Sequence, residues 1–234
     1  MTVFEPNRRL LDNIARVRAE IEEATVRSGR AAGAVTLVAA TKYVAAALTR
    51  QVAAAVVDLG ESRPQEIWGK APELSDLSIR WHLIGHLQRN KVRRTLPFVS
   101  LIHSVDSRRL LDELQTEAAR IERRIEILLE VNISGDESKT GFAPSELEAV
   151  IIAAANMPNL QVRGLMSMAG LDTDATAAQA QFAAVRELRD RLQSNAPQEI
   201  QLAELSMGMS SDFREAIAEG ATMVRVGSSL FEGV

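Results

Sequence analysis

Eight short apolar runs recur along this chain, and that recurrence limits its architecture more than any other feature. They read VTLVAAT (35–41), VVDLG (56–60), RWHLIG (80–85), FVSLIHSV (98–105), IEILLEVNI (125–133), LQVRGLMSM (160–168), EIQLAELSM (199–207) and ATMVRVG (221–227). Between them lie segments of helical pattern, among them SRRLLDELQTEAARIERR (107–124) and TAAQAQFAAVRELRDRLQS (176–194). Several runs are apolar on both faces, as expected of parallel strands covered by helices. Residues 7 to 28 add an amphipathic helix ahead of the first run, with Leu10, Leu11, Ile14, Val17 and Ile21 at helical spacing. No Pro/Gly/Ser linker or break in composition divides the 234 residues, and a (β/α)8 barrel commonly takes about 250. The pattern therefore predicts a single (β/α)8 TIM barrel with an extra N-terminal helix, one domain over residues 1–234, in preference to an open doubly wound sheet. Chemistry is then expected at the carboxyl ends of the strands.

Charge and hydropathy narrow the function classes. A net charge of -4 offers no electrostatic reason to expect nucleic acid as a partner. The N-terminus becomes charged before a signal-type apolar core develops, and no later segment stays apolar long enough to span a bilayer. The chain has no cysteine, which removes disulfides and thiolate chemistry and fits a reducing compartment. A cytoplasmic protein without membrane or nucleic-acid partners is expected.

Lys42 stands at the exit of the first run. Walled by Val35, Leu37, Val38 and their neighbours, its ammonium would be partly desolvated, which lowers a pKa ordinarily about 10.4. A neutral amine can attack a carbonyl and form a Schiff base. The plainer alternative is a lysine whose head snorkels into water at the barrel mouth.

The last two runs each end in a glycine/serine turn. Gly208, Ser210 and Ser211 follow one and Gly227, Ser228 and Ser229 the other. Asp212 and Glu215 are spaced as the cap and third residue of the helix after the first turn. Amides and hydroxyls at helix starts bind anions, and barrel loops after the last two strands often hold phosphate. The two turns together suggest one phosphate, although Ser and Gly also cap helices with no ligand present. Alternation puts Arg225 on the same face as Gly227, where its guanidinium would reach a ligand ring or, alternatively, pair with a carboxylate inside the barrel.

A lysine after the first strand, WHLIGHLQRNK (81–91), VNISGDESKTGF (131–142), RGLMSM (163–168), LSMGMSSDFREAI (205–217) and GATMVRVGSSLF (220–231) occur in that order. The set resembles the pyridoxal phosphate homeostasis protein family, from about residue 7 onward, and the last two motifs are the most specific part. The resemblance implies a fold type III barrel like the N-terminal domain of alanine racemase, holding pyridoxal 5'-phosphate as a Schiff base on Lys42. It places Ser210, Gly227 and Ser228 in the phosphate-binding turns and Arg225 beside the pyridine nitrogen. A permanent cation there discourages protonation of that nitrogen and weakens the cofactor as an electron sink. In alanine racemase a second domain supplies a tyrosine base. Here the chain closes at Val234 and its only tyrosine, Tyr43, adjoins Lys42, so the expectation is a cofactor carrier and buffer with little or no turnover. Apo-enzymes would be the recipients, and a monomer is the default. Departures from the family pattern are Thr41 where serine is usual, no proline in YVAAA (43–47), and GESRPQE (60–66), which puts Ser62 in place of an asparagine and Arg63 in place of an aromatic residue.

Other motifs carry less. Met166 and Met168 alternate on one strand and would either touch the ring or pack in the core. His82 and His86 lack a metal-site pattern, and no metal is expected. QRNKVRR (88–94) is a basic cluster that more often marks a solvated helix face. GDESKTG (135–141) lacks calcium-loop spacing, and its Lys139 is a candidate for a secondary, transient phosphate or aldehyde contact. Two alternatives share the site: a racemase-like enzyme using Lys42 as a base, and a Schiff-base aldolase acting on a phosphorylated sugar.

Overall fold

The computed structural model describes residues 7–136, 139–170 and 173–234. Residues 1–6 of the expected domain and residues 137–138 of the GDESKTG loop lie outside these. The eight strands are β1 (Thr36–Ala40), β2 (Asp58–Glu61), β3 (Arg80–Leu83), β4 (Val99–Val105), β5 (Ile125–Glu130), β6 (Leu160–Met166), β7 (Glu204–Ser206) and β8 (Met223–Val226). They pair in parallel in chain order, and β1 completes the ring by pairing with both β2 and β8. Every apolar run contributes a strand, and the expected TIM barrel is the observed architecture.

Around the ring lie α1 (Arg8–Arg27), α2 (Ala46–Ala53), α3 (Pro64–Glu73), α4 (Val92–Thr95), α5 (Arg108–Arg120), α6 (Leu147–Ala155), α7 (Ala175–Asn195) and α8 (Phe213–Ala218). Strand alternation divides the side chains between two environments. On β8, Val224 and Val226 face outward into the core shared with the helices, whereas Met223 and Arg225 face into the barrel. On β5, Ile127 and Leu129 face outward and Leu128 inward. Leu101, Leu128 and Met166 form a separate apolar layer inside the barrel.

The run at 199–207 is strand only over its last part. Ahead of β7 the Leu202 amide donates to the Gln193 side chain of α7 at 2.6 Å, so its backbone finds a partner without a ladder.

Helix α1 begins at Asn7, whose side chain accepts from the Leu10 amide. It buries Leu10, Ile14, Val17, Ile21 and Ala24, while Leu11, expected on the same face, is 37% exposed. The buried stripe packs on α8 and on the 3-10 turn Ser228–Leu230. Asn13 Nδ2 donates to the carbonyls of Leu230 at 3.1 Å and Glu232 at 3.0 Å, and Arg16 donates to that of Ser229. The extra N-terminal helix thus braces the turn after β8 from outside. No helix among the described residues is long and apolar enough to cross a membrane.

Candidate functional site

Six strand ends converge on one cavity of about 350 Å³ at the carboxyl mouth of the barrel. Lys42, Ser62, Ser210, Arg225, Gly227 and Ser228 all line it. Met166 does not. It shares a face with Met168 but sits one layer deeper, 1% exposed against Leu101 and Leu128, and Met168 is the methionine that reaches the cavity. The expectation that Met166 contacts a ligand is corrected on that ground. Ala40, Ile84, Met209 and Ser211 complete the wall. Ile84 was concealed in sequence because a strand-end isoleucine reads as core.

Lys42 lies two residues beyond the end of β1, in register with Val38 and Ala40 on the inner face. Its side chain is exposed because strand β1 has already ended, and the expected wall residues Leu37 and Val38 are buried below it without enclosing the amine. Tyr43 has a left-handed backbone (φ 73°) and an exposed ring, 5.6 Å from the Lys42 amine. A non-glycine residue in that region costs about 1 kcal/mol or more, which the surrounding contacts must offset.

Those contacts are found beneath the lysine. Thr41 Oγ1 donates to Glu61 Oε1 at 2.6 Å, and Lys70 Nζ of α3 donates to the same oxygen at 2.7 Å and to the Thr41 carbonyl at 3.0 Å. All three residues are buried. Burial pushes the Glu61 carboxyl above its ordinary value, with the Lys70 and Thr41 hydrogen bonds working the other way. Gly85 passes directly under Ser62, and a Cβ there would collide with the Ser62 carbonyl. Arg63, the unusual residue beside it, lines a small space of about 50 Å³ with Lys42, Tyr43, Ser62 and Glu66.

Across the β1–β8 seam the Gly227 amide donates to Ser210 Oγ at 3.2 Å, and the Arg225 amide donates to the Gly208 carbonyl at 3.0 Å. The two glycine/serine turns are therefore one structure. Gly208 (φ +85°) turns so tightly over α8 that a Cβ would lie 2.6 Å from the Ala216 Cβ. Asp212 is the residue before α8, but its carboxylate does not cap that helix. It folds back to accept from the Met209 amide at 2.6 Å and stiffens the turn instead. At Gly227 a Cβ would press on the Ala40 Cβ and carbonyl at 3.3 Å, so glycine leaves the floor of the turn open.

Arg225 is 4% exposed and has no carboxylate in direct contact among the described residues. Its guanidinium donates to the Ser206 carbonyl at 2.7 Å, Ser206 Oγ at 2.6 Å and the Ser167 carbonyl at 3.0 Å. Burial lowers its pKa to about 10, against the more distant charges of Asp212 and Glu130. It remains a cation near neutral pH.

The remaining motifs lie elsewhere. His82 is buried against Asp58 and His103, whereas His86 is exposed and paired with Asp106 at 2.8 Å, so the two do not share a face. Arg94 of the basic cluster stacks over Trp68 at 4.3 Å. Lys139 donates to the Ala169 carbonyl at 3.3 Å and lines a cavity of about 300 Å³ that shares Met168 and Met209 with the main one. A larger cavity of about 500 Å³ lies at the amino end of β1 and β2. It lacks a primary amine and a glycine/serine turn, so volume does not make it the better candidate. Chemically, the mouth cavity combines an amine, hydroxyls and amides at two joined turns, a buried guanidinium and apolar walls. That set suits a flat ligand carrying both a carbonyl and a phosphate.

Residues 8–233 match the family model described as alanine racemase, N-terminal domain. A pyridoxal phosphate homeostasis protein of Pseudomonas aeruginosa is 40% identical over 223 residues, covering 95% of this chain and 94% of that protein. One from Aquifex aeolicus is 38% identical over 221 residues, covering 94% and 96%. Among solved structures, PipY of Synechococcus elongatus with pyridoxal phosphate bound superposes with a TM-score of 0.80 at 39% identity, covering 90% of this chain and 99% of its own. Alanine racemase from Corynebacterium glutamicum shares the fold alone, with a TM-score of 0.71 at 17% identity, over 94% of this chain and 61% of its own.

Proposed function

We propose that this chain, which belongs to the pyridoxal phosphate homeostasis protein family, holds pyridoxal 5'-phosphate on Lys42 and passes it on with little or no turnover of substrate. The observation that carries this reading is the convergence of Lys42, the joined Ser210 and Gly227 turns, and Arg225 on one cavity. The cofactor supplies an aldehyde that condenses with a primary amine and a ring that withdraws electrons. Lys42 provides the amine. Ser210, Gly227 and Ser228 would offer hydroxyls and amides to the phosphate, Ile84 and Met168 would supply apolar wall for the ring, and Arg225 would add a permanent positive charge to the pocket.

Carriage is favoured over catalysis by the composition of the wall. Lys42 and Arg225 are its only ionisable side chains among the described residues. Exchange of a substrate proton by two bases needs a second proton acceptor across the ring, and the exposed Tyr43 ring is not among the residues lining the cavity. Under this reading the recipients are cytoplasmic apo-enzymes that use the same cofactor, and the chain works as a monomer.

Incubation with pyridoxal phosphate is expected to produce visible absorbance, and borohydride reduction followed by peptide mapping to place the label on Lys42. Lys42→Ala is expected to lose the label. A protein that stays colourless with added cofactor, or a label on another residue, overturns the assignment. Deuterium exchange at the α-carbon of L- or D-amino acids above the rate with free cofactor would instead establish catalysis.

A further inference from the structure

The two buried histidines play no part in the site as described, yet they complete a continuous row of hydrogen bonds through the barrel interior. Arg225 Nη1 meets Ser206 Oγ at 2.6 Å, Ser206 Oγ meets His103 Nδ1 at 2.8 Å, His103 Nε2 meets His82 Nδ1 at 2.9 Å, and His82 Nε2 meets Asp58 Oδ1 at 2.9 Å. Asp58 Oδ2 accepts from Arg80 at the amino end of the barrel. The row therefore runs from the cavity at the mouth to the opposite end.

Donor and acceptor chemistry fixes its direction. The guanidinium can only donate, so Ser206 Oγ accepts from Arg225. At the other end, Asp58 accepts from Arg80, and burial, which alone would raise its pKa, is more than offset by the hydrogen bonds from His82 and Arg80. The carboxylate is ionised and accepts from His82 Nε2–H. If both imidazoles are neutral, every hydrogen in the row has one acceptor: Arg225 to Ser206, Ser206 to His103, His103 to His82, His82 to Asp58. A reversed row would give Ser206 Oγ two donors, Arg225 and His103, and strand its own hydroxyl hydrogen in a buried site, which costs about 1 kcal/mol or more. Burial is the main cause that holds His103 well below its ordinary pKa, and the nearby Arg225 cation adds to it, in agreement with a neutral ring.

We infer that His103 and His82 are positioning residues that lock Arg225 in place through Ser206, as neutral Nε2–H tautomers in a one-way row of donors anchored on Asp58. The row gives a buried guanidinium without a contacting carboxylate a fixed orientation and a remote counter-charge, polarised in one sense along the barrel. It concerns the protein's own protons and stands whether or not Lys42 carries a cofactor.

Nitrogen-15 NMR of the unaltered chain without cofactor, with labelled histidine and arginine, tests it. At pH 7 both buried imidazoles are expected as Nε2–H tautomers with unprotonated Nδ1, and the Arg225 side-chain N–H signals are expected to be in slow exchange. In His103→Leu those Arg225 signals are expected to broaden or vanish. In His103→Asn, whose side-chain oxygen can still accept from Ser206, they are expected to persist. A doubly protonated or Nδ1–H ring at either position, or Arg225 signals unchanged in His103→Leu, overturns the inference. The tautomer measurement needs no variant, so a substitution that fails to fold does not leave it undecided.

Discussion

The Gly227 amide donates to the Ser210 hydroxyl oxygen across 3.2 Å, joining the turn after β7 to the turn after β8. The contact connects residues 17 apart in sequence and makes the proposed phosphate seat a single rigid element. Ser210→Ala removes both this tie and one hydroxyl. A hydrogen bond to a charged group is worth about 1.5–3 kcal/mol, so affinity for pyridoxal phosphate is expected to fall roughly tenfold or more. Fluorescence titration checks this, and Lys42 should still be labelled at saturating cofactor. An unchanged affinity would mean that the phosphate rests elsewhere.

Lys70→Met leaves Glu61 buried with only Thr41 as partner. Breaking a buried pair from one side costs roughly 3–5 kcal/mol, and urea unfolding should register a loss of that order. Adding Glu61→Gln to the same chain is expected to recover part of it, because the uncompensated charge is gone. A single variant as stable as the parent would show that Lys70 does not support the Lys42 loop.

Asn13→Ala removes the two hydrogen bonds by which α1 holds the carbonyls of Leu230 and Glu232. Stability is expected to drop by about 1–2 kcal/mol, with weaker phosphate binding at a position outside the cavity. Parallel denaturation and binding measurements separate this from a merely surface change, which would move neither.

The depressed His103 pKa has a definite consequence for acid stability. In the unfolded chain this imidazole takes up a proton near pH 6.5, whereas in the folded barrel it stays neutral. The unfolded state therefore binds more protons below that pH, and stability is lost as pH falls from about 6.5 toward the folded value. The slope attributable to this residue approaches roughly 1 kcal/mol per pH unit. Urea curves at several pH values should show that slope in the parent and its absence in His103→Asn.

Much of this was legible in one dimension. The strands announce themselves because both faces of a covered parallel sheet are apolar, and even VVDLG, with its aspartate, forms β2. Lys42, Ser210, Arg225, Gly227 and Ser228 could be picked out because they lie at or near strand ends, and Ser62 through the family resemblance; the structure brings all six to one cavity. Between ring contact and core packing Met166 takes the second, because alternation reports the face of a strand and not the depth along it. Leu11 and the Asp212 cap failed for a related reason: spacing allows a contact, but neighbouring packing decides whether it forms. The Glu61 and Lys70 pair and the interior histidines were invisible, since they depend on which residues of β2, β3, β4, β7 and α3 stand level with one another. A lysine inside a helix reads as solvent-facing until the sheet behind it is known.

The lysine and the arginine arrive from opposite ends of the chain and meet only at the seam where β1 pairs with β8, with Val38 opposite Arg225. A nascent polypeptide emerging from the ribosome would display the reactive amine long before the strand carrying Arg225 and the Gly227 turn had been made. Under the proposed reading, the phosphate turns and Arg225 would join the amine only once the last strand had closed the ring, so full-strength ligand capture would wait for the finished barrel.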